Sequence, residues 1–386
     1  MKRQQGAGLI LVLTLSCALL PVATAQVEEI DSVLNESVQM VAKQGLFSIQ
    51  IETTFYKPDG AGPFPVVIIN HGKARGDTRF QGRYRPANAA RYFMLRGYAV
   101  VVPMRQGFSK SGGSYIGGEC NVESNGRVQA DDVKAVLDHV AVQGWADMNN
   151  IVVLGQSHGG WTTLAFGTQG YPGVKALINF AGGLRQENCV AWENGLARAA
   201  AAYGRETRIP SLWFYGDNDS YFNTATYRAM FDQYSAAGGP ARLLAFGSFG
   251  SDSHSMFGSR AGAPIWQPEV SKFLATAGLP SALKAGYSKY AAAALTELPP
   301  RTDFAALEDE TRLPHVRDTG RAGYKAYLAK EFPRAFAIAP SGAWGWATAG
   351  DDPLRRALDN CNRNRKDKAD CRLYSVDDMV VWKPDP

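Results

Sequence analysis

The stretch VLGQSHGG places a serine, Ser157, between glycines directly after the apolar run Ile151 to Leu154. A sharp turn from a buried strand into a helix needs small neighbours, because larger side chains would collide where the backbone reverses. Gly155 and Gly159 meet that need. The spacing therefore predicts that Ser157 stands on such a turn as a nucleophile. The alternative is a glycine-rich turn in which the serine has no chemical role.

A serine hydroxyl is a weak nucleophile at neutral pH and needs a neighbouring base, which is often histidine. The sequence contains five histidines. His254 lies in the glycine- and serine-rich segment GSDSHSMFG, after the last apolar run of the main domain, and is the predicted base. The other four fit a helix surface, a linker or the ends of strands, where we expect no proton transfer from their rings: His71, His139, His158 and His315.

The segment LWFYGDNDSYF offers two carboxylates just past the apolar run Leu212 to Phe214. We favour Asp219 as the residue that orients His254, because it lies farther beyond the strand and its carboxylate can reach the histidine loop. Asp217 is the alternative, and its other role would be to cap the turn at Gly216.

Attack on an acyl carbon also needs N–H donors for the oxyanion that develops. The residue after the nucleophile, His158, would supply one backbone N–H at the start of the following helix. The second donor should come from the loop after an early strand, where the sequence reads His71-Gly72-Lys73. We predict the backbone N–H of Lys73, with Gly72 leaving room for the loop to approach.

Several large or charged side chains lie near these segments and are candidates for the substrate pocket. Basic side chains at or after strand ends would attract an anionic substrate, or would simply be solvated surface charge: Lys73, Arg75 and Arg105. Aromatic side chains lie beside the loop that carries Asp219 (the acid loop) and after the sharp turn at Ser157 (the elbow). They would line an acyl pocket or would only pack in the core: Trp161, Tyr221 and Phe222.

The elements that position these residues are short apolar runs separated by helical patterns. The runs lack alternation, as is typical of parallel strands buried on both faces. They are Val66–Ile69, Ala99–Val102, Ile151–Leu154, Ala176–Ile178, Leu212–Phe214 and Leu243–Phe246. A stripe from Val133 to Val140 predicts a helix between them. The pattern indicates an α/β, doubly wound, mostly parallel sheet with helices on both faces, preceded by a half-exposed antiparallel strand at Phe47 to Phe55.

The C-terminal part has a different organisation. A helix from Trp266 to Leu279 would close the main domain, predicted at 26–285, and a linker with helical pieces follows at 286–323. The sequence of residues 324–386 predicts a small α+β module, whose elements follow in the order strand, strand, helix and strand. Its helix would start at Asp352 and Pro353, and its last strand would run from Arg372 to Trp382.

The N-terminus predicts export. Lys2 and Arg3 precede an apolar run from Leu9 to Leu20 and a small-residue cleavage pattern ending at Ala25, so we expect a signal peptide at 1–25 and a periplasmic or secreted protein. Lipid attachment at Cys17 is the poorer alternative. A formal charge of +5 spread along the chain gives no reason to expect nucleic-acid binding, and no later segment is apolar enough to span a membrane.

Outside the signal segment, four cysteines remain, an even number that favours two disulfides in an oxidising compartment. The close pair Cys361 and Cys371 would bridge each other, which leaves Cys120 with Cys189 near the rim of the site. The other two pairings stay open. The cysteines show neither a C-x-x-C spacing nor a nearby histidine pair, so no metal site is predicted, and the chemistry above needs no cofactor.

The order Ser157, Asp219, His254 is that of α/β-hydrolases. The segments VVIINHG, RGYAVVVPMRQGFSKSGG, VLGQSHGG, LWFYGDNDSYF and DSHSMF follow one another as in that superfamily, and the stretch from about Phe47 to Leu279 most closely resembles dienelactone hydrolase-like proteins. The resemblance implies the triad named above. Dienelactone hydrolase itself uses a cysteine nucleophile, so its lactone substrate is not carried over. The tail resembles small cysteine-paired modules at the ends of other exported bacterial proteins.

The leading hypothesis is an exported serine hydrolase that cleaves a small-molecule ester, or a related acyl bond, through an acyl-enzyme intermediate. A prolyl oligopeptidase-like peptidase is the second hypothesis, although the sequence contains no dedicated carboxylate cluster to anchor a peptide amine. The third is a non-catalytic binding protein on a hydrolase scaffold. The sequence gives no indication of oligomeric state.

Overall fold

Nine strands form the main sheet of the structure, a computed structural model that describes residues 28–31, 33–45, 48–117, 119–291, 296–330, 332–348, 352–365 and 369–384. The predicted signal segment, with Cys17, and Phe47 lie outside the described residues. In chain order the strands are β1 Glu28–Asp31, β2 Glu36–Lys43, β3 Ile49–Tyr56, β4 Phe64–Asn70, β5 Ala99–Pro103, β6 Ala146–Gln156, β7 Val174–Phe180, β8 Ser211–Tyr215 and β9 Ala241–Ala245.

Six of these strands run parallel, in the order β5-β4-β6-β7-β8-β9, and β1-β2-β3 extend the sheet as antiparallel neighbours on the β5 side. Val66 to Ile69 and Ile151 to Val153 are fully buried. Each predicted apolar run of the main domain falls in a strand, except that Phe246 lies one residue past the end of β9. Apolar side chains without alternation are typical of strands that are covered on both faces.

Helices supply that cover on both faces. One layer contains α2 Val122–Ala141, α3 His158–Gly167, α4 Trp192–Glu206 and α5 Thr224–Ala236, and the other contains α1 Ala87–Met94 and α6 Ala263–Thr276. Two separate apolar clusters result, one on each side of the sheet. The predicted doubly wound, mostly parallel α/β fold is confirmed, and the topology is that of an α/β-hydrolase. None of the described helices is long and apolar enough to cross a membrane.

Three details of the sheet differ from the sequence-based predictions. The strand predicted to be half exposed, β3, is buried from Ile51 to Tyr56, because β2 and β5 flank it and helix α2 packs on it. Strand β9 lies at the sheet edge and is only partly buried. The first two strands, β1 and β2, were not predicted.

The C-terminal residues form a second, four-stranded antiparallel sheet in the order β11-β10-β12-β13. Its elements are α7 Asp318–Leu328, β10 Arg334–Ile338, β11 Trp344–Thr348, α8 Pro353–Asn364, β12 Arg372–Val376 and β13 Met379–Val380. The predicted single last strand is therefore two strands, separated by a turn at Asp377, whose φ is 51°. Helix α7 crosses the predicted boundary between linker and module at 323/324, and the domain limits stay predictions.

Candidate active site

Ser157 occupies the turn between β6 and α3 with φ 57° and ψ −126°. A left-handed backbone at a residue other than glycine costs on the order of 1–3 kcal/mol, so the surrounding structure has to hold it. The Ser157 N–H donates to the Phe180 carbonyl (2.9 Å), and the Ser157 carbonyl accepts from Trp161 N–H (3.1 Å). A Cβ on Gly155 or Gly159 would collide with backbone atoms. The glycines are therefore required by the close approach of three chain segments.

His254 lies in a short 3₁₀ turn, Ser253–Ser255, in the loop after β9, and Asp219 lies in the loop after β8. The Nδ1 of His254 is 2.9 Å from Asp219 Oδ2 and 3.1 Å from Oδ1. A Cβ on Gly216 would collide with Ser253, so this glycine allows the two loops to come together. Because a carboxylate at Nδ1 holds the proton on that nitrogen, Nε2 is left as the acceptor.

Asp219 is 6% exposed, and backbone N–H groups of the residues that follow it hold its carboxylate in place. Its Oδ1 accepts from the N–H groups of Tyr221 (2.8 Å) and Phe222 (2.9 Å). Asp217, the alternative acid, instead accepts from the Tyr227 hydroxyl at 3.2 Å. Of the two carboxylates, the structure brings Asp219 to His254.

Ser157 and His254 line the same cleft, which has a volume of about 560 Å³. Gln156, the residue before the serine, donates from its side-chain amide to the His254 carbonyl (3.0 Å) and so joins the elbow to the histidine loop. The ring of Tyr221 lies 4.4 Å from the His254 ring, centre to centre, and also lines the cleft. The remaining lining comes from the loop after β4, from other residues of the histidine loop and from the C-terminal module.

The loop after β4 lies directly against the elbow. A Cβ on Gly72 would sit 3.4 Å from the Ser157 Cβ. The Gln81 side chain braces this loop, because its amide donates to the Gly72 carbonyl (3.2 Å) and its oxygen accepts from Ala74 N–H (2.9 Å). Lys73 lines the cleft between these braced residues. The N–H of His158, at the first position of α3, has no acceptor within its own helix.

Three of the side chains predicted for the pocket do not line this cleft. Trp161 is fully buried in the helical layer, where its indole N–H donates to the Val122 carbonyl (2.8 Å). Phe222 is buried behind the His254 ring. Arg105 is fully buried beneath the elbow. Their burial depends on tertiary packing between elements that are distant in the sequence.

Arg105 has a structural connection that the sequence did not reveal. Its guanidinium donates to the His71 carbonyl (2.7 Å) and to Nδ1 of His158 (3.1 Å), so it links the two segments that carry the predicted N–H donors. Burial, together with the positive charge of Arg105, holds the pKa of both histidines well below the usual value. Both rings are therefore neutral, and burial lowers the pKa of Arg105 itself to about 10, which keeps it charged at neutral pH.

The cysteines pair as Cys120–Cys189 and Cys361–Cys371, with Cα separations of 5.6 and 6.0 Å. The first bridge ties the chain before α2 to the chain before α4, and neither of its cysteines lines the cleft. The second joins the end of α8 to β12. Among the described residues, no group of three His, Cys, Asp or Glu side chains is arranged to hold a metal ion.

A model of the family described as X-Pro dipeptidyl-peptidase (S15 family) matches residues 45–242, just over half of the chain. Among solved structures, a putative dienelactone hydrolase from Klebsiella pneumoniae is 19% identical, with a TM-score of 0.46 over 63% of this chain and 98% of that chain. A puromycin-hydrolyzing peptidase from Mycobacterium tuberculosis is 20% identical, with a TM-score of 0.47 over 65% of this chain but only 41% of that one.

An acetyl xylan esterase from Paenibacillus is 17% identical, with a TM-score of 0.47 over 65% of this chain and 88% of that chain. No match was found among the curated proteins.

Proposed function

The chain belongs to the X-Pro dipeptidyl-peptidase (S15) family, and we infer that it is an α/β-hydrolase of the serine-hydrolase type. We propose that it cleaves carboxylic esters with Ser157, His254 and Asp219. The observation that carries the proposal is the hydrogen bond between His254 Nδ1 and the Asp219 carboxylate, in the cleft that also contains the Ser157 elbow.

In the proposed reaction, Nε2 of His254 takes the hydroxyl proton of Ser157 as Oγ forms a bond to the ester carbon. The carbonyl oxygen becomes an oxyanion, for which the N–H groups of His158 and Lys73 are the proposed donors. The C–O bond to the leaving group then breaks, and the leaving oxygen takes the proton from His254. A water molecule then gives a proton to Nε2 of His254 as its oxygen bonds to the acyl carbon. The bond between that carbon and Ser157 Oγ breaks, Oγ takes the proton back, and the carboxylic acid leaves.

The decisive test compares Ser157→Ala with Ser288→Ala, a control at an exposed serine on a 3₁₀ segment outside the cleft. We expect wild type and the control to hydrolyse 4-nitrophenyl acetate and to react with a fluorophosphonate probe. Ser157→Ala should do neither. Undiminished turnover in Ser157→Ala would refute the assignment, and failure of the wild-type protein to react with the probe would favour a non-catalytic binding role.

Family membership favours a second candidate, cleavage of peptides. An enzyme that removes dipeptides must bind a protonated amine, which a carboxylate does best. Among the described residues that line the cleft, Asp252 is the one acidic side chain. Its Oδ1 already accepts from the N–H groups of His254 (2.9 Å) and Ser220 (3.1 Å), and its Oδ2 accepts from the Ser220 hydroxyl. We therefore expect kcat/KM to be higher for 4-nitrophenyl acetate than for Ala-Pro 4-nitroanilide. The reverse order would support the peptidase.

We also propose that the protein is exported to the periplasm or secreted. Two disulfides support this, because cytosolic thiols are kept reduced. N-terminal sequencing of the mature protein should begin near Gln26. A mature protein that begins at Met1 would contradict the predicted signal peptide.

A further inference from the structure

The C-terminal module forms one wall of the cleft. The end of α7 and the chain after it contribute Lys325, Leu328, Ala329, Lys330 and Phe332 to the same lining as Ser157 and His254. The module is held there through the histidine loop, because Asp378 Oδ2 accepts from both the N–H (2.7 Å) and the hydroxyl (2.9 Å) of Ser251. The cleft is therefore built jointly by the hydrolase sheet and the module.

Positive charge dominates this joint lining. Lys73 and Arg75 come from the loop after β4, and Lys325 and Lys330 come from the module. Within the described part of the chain, no carboxylate lies within ion-pair distance of Lys73, Arg75 or Lys330, whereas Lys325 Nζ lies 3.3 Å from Glu310 Oε1. Among the described residues of the lining, Asp252 is the one acidic side chain, and its carboxylate accepts from backbone N–H groups.

The Lys73 ammonium is the most enclosed of these cations. Its side chain lies over the Tyr115 ring, and partial burial lowers the pKa of its amino group. A cation that has lost part of its hydration gains more from a bound anion than a fully solvated one does. The cleft thus takes its cations from two parts of the chain, the loop after β4 and the C-terminal module, and Ser157 belongs to the same lining.

We propose that the cleft selects esters that carry a second, negatively charged group, and that Lys325 and Lys330 of the C-terminal module are determinants of that selection. The inference rests on the proposed ester hydrolysis at Ser157. The anionic group is a carboxylate or a phosphate, since both satisfy clustered ammonium and guanidinium donors. The same cations would repel the protonated amine of a peptide substrate.

The test uses matched pairs of substrates that differ in one charge. For the leaving group the pair is 4-acetoxybenzoate and its methyl ester, and for the acyl group it is mono-4-nitrophenyl adipate and its methyl ester. We expect kcat/KM to favour the anionic member of at least one pair by about 10-fold, a preference that weakens as the ionic strength rises. Replacement of the carboxylate by phosphate, in 4-acetoxyphenyl phosphate, shows which anion is preferred. Equal kcat/KM within both pairs would overturn the proposal.

Variants of the module locate the selection. The double variant Lys325→Gln/Lys330→Gln should reduce the anionic-to-neutral ratio by about 3- to 10-fold, and Lys330→Glu, which changes the net charge by the same two units, should reduce it by a similar factor. Lys134→Gln/Lys272→Gln is the matched control, because it also removes two ammonium charges, one from the exposed surface of α2 and one from that of α6. A ratio that is unchanged in the double variant, or that falls equally in the control, would overturn the role of the module.

Binding to the Ser157→Ala variant separates this inference from the proposed function. If the wild-type enzyme cleaves both members of each pair equally through Ser157, ester hydrolysis stands and charge selection fails. If no ester is cleaved, calorimetry with Ser157→Ala still tests charge selection, because 4-acetoxybenzoate should bind about 10-fold more tightly than its methyl ester. Equal affinities there would refute the inference independently of catalysis.

Discussion

Replacement of Asp219 by asparagine should remove almost all activity while it preserves the shape of the site. The N–H groups of Tyr221 and Phe222 both point at Oδ1, so the amide oxygen of an asparagine must occupy that position. The amide NH₂ would then take the place of Oδ2 and face Nδ1 of His254, 2.9 Å away. Two N–H groups cannot face each other favourably, and the imidazole would therefore carry its proton on Nε2, where it cannot accept one from Ser157.

The magnitude follows from loss of the base. Wrong-tautomer substitution in a serine triad lowers kcat by about 10⁴-fold, which corresponds to about 5.4 kcal/mol of transition-state free energy. The two backbone bonds to Oδ1 survive, so the free energy of unfolding should fall by only about 1–2 kcal/mol, the difference between charged and neutral hydrogen bonds.

The assay is kcat for 4-nitrophenyl acetate together with thermal unfolding, with Asp217→Asn as the matched control. Asp217 lies two residues earlier and contacts Tyr227 instead of His254, so the control should keep kcat within a few-fold of wild type. A kcat for Asp219→Asn within about tenfold of wild type would refute the assigned orientation of His254. An equal loss in Asp217→Asn would show that the acid loop matters only as a whole.

Three further predictions concern residues outside the triad. Arg105→Met should lower kcat about 10- to 100-fold at nearly constant KM, because the loop that contains Lys73 and the Ser157 elbow lose the cation that links them. Steady-state kinetics tests this prediction, and an unchanged kcat would contradict it. Asp378→Ala should lower kcat, because it frees the histidine loop from the module. Asp370→Ala, at an exposed position of the same module, should leave kcat unchanged. Equal kcat values for the two variants would count against a role for the contact between Asp378 and Ser251. Burial raises the pKa of Asp377 to about 6, above its unfolded value, so the folded state binds more protons and the protein loses stability as the pH rises from about 4 to 6. Asp377→Asn should abolish this loss and add about 2–3 kcal/mol to the free energy of unfolding at pH 7. Thermal unfolding of the variant that shows the same pH dependence as wild type would contradict this prediction.

The order of the site residues could be predicted from the sequence because parallel strands deliver their following loops to one edge of a sheet. Ser157, Asp219 and His254 each follow an apolar run, and the alternation of such runs with helical patterns indicates parallel strands. The elbow was predictable for a local reason, since Gly155 and Gly159 are what a strained turn requires of its neighbours. Strands β1 and β2 were missed because their sequence lies before the first apolar run and mixes polar with apolar residues.

The proposed nucleophile, base and orienting acid were thus identified from the sequence itself, through residue types and strand-end positions. Tertiary structure alone decided what surrounds them. Arg105 became buried because α2 and α3 cover it, and Trp161 because α3 packs against α2 and α4. Lys325 and Lys330 came to line the same cleft as Ser157 because the C-terminal module docks on the histidine loop. Local patterns record which face of an element is apolar, but they do not record which distant element will cover it, and packing between distant elements is what shapes the substrate cleft.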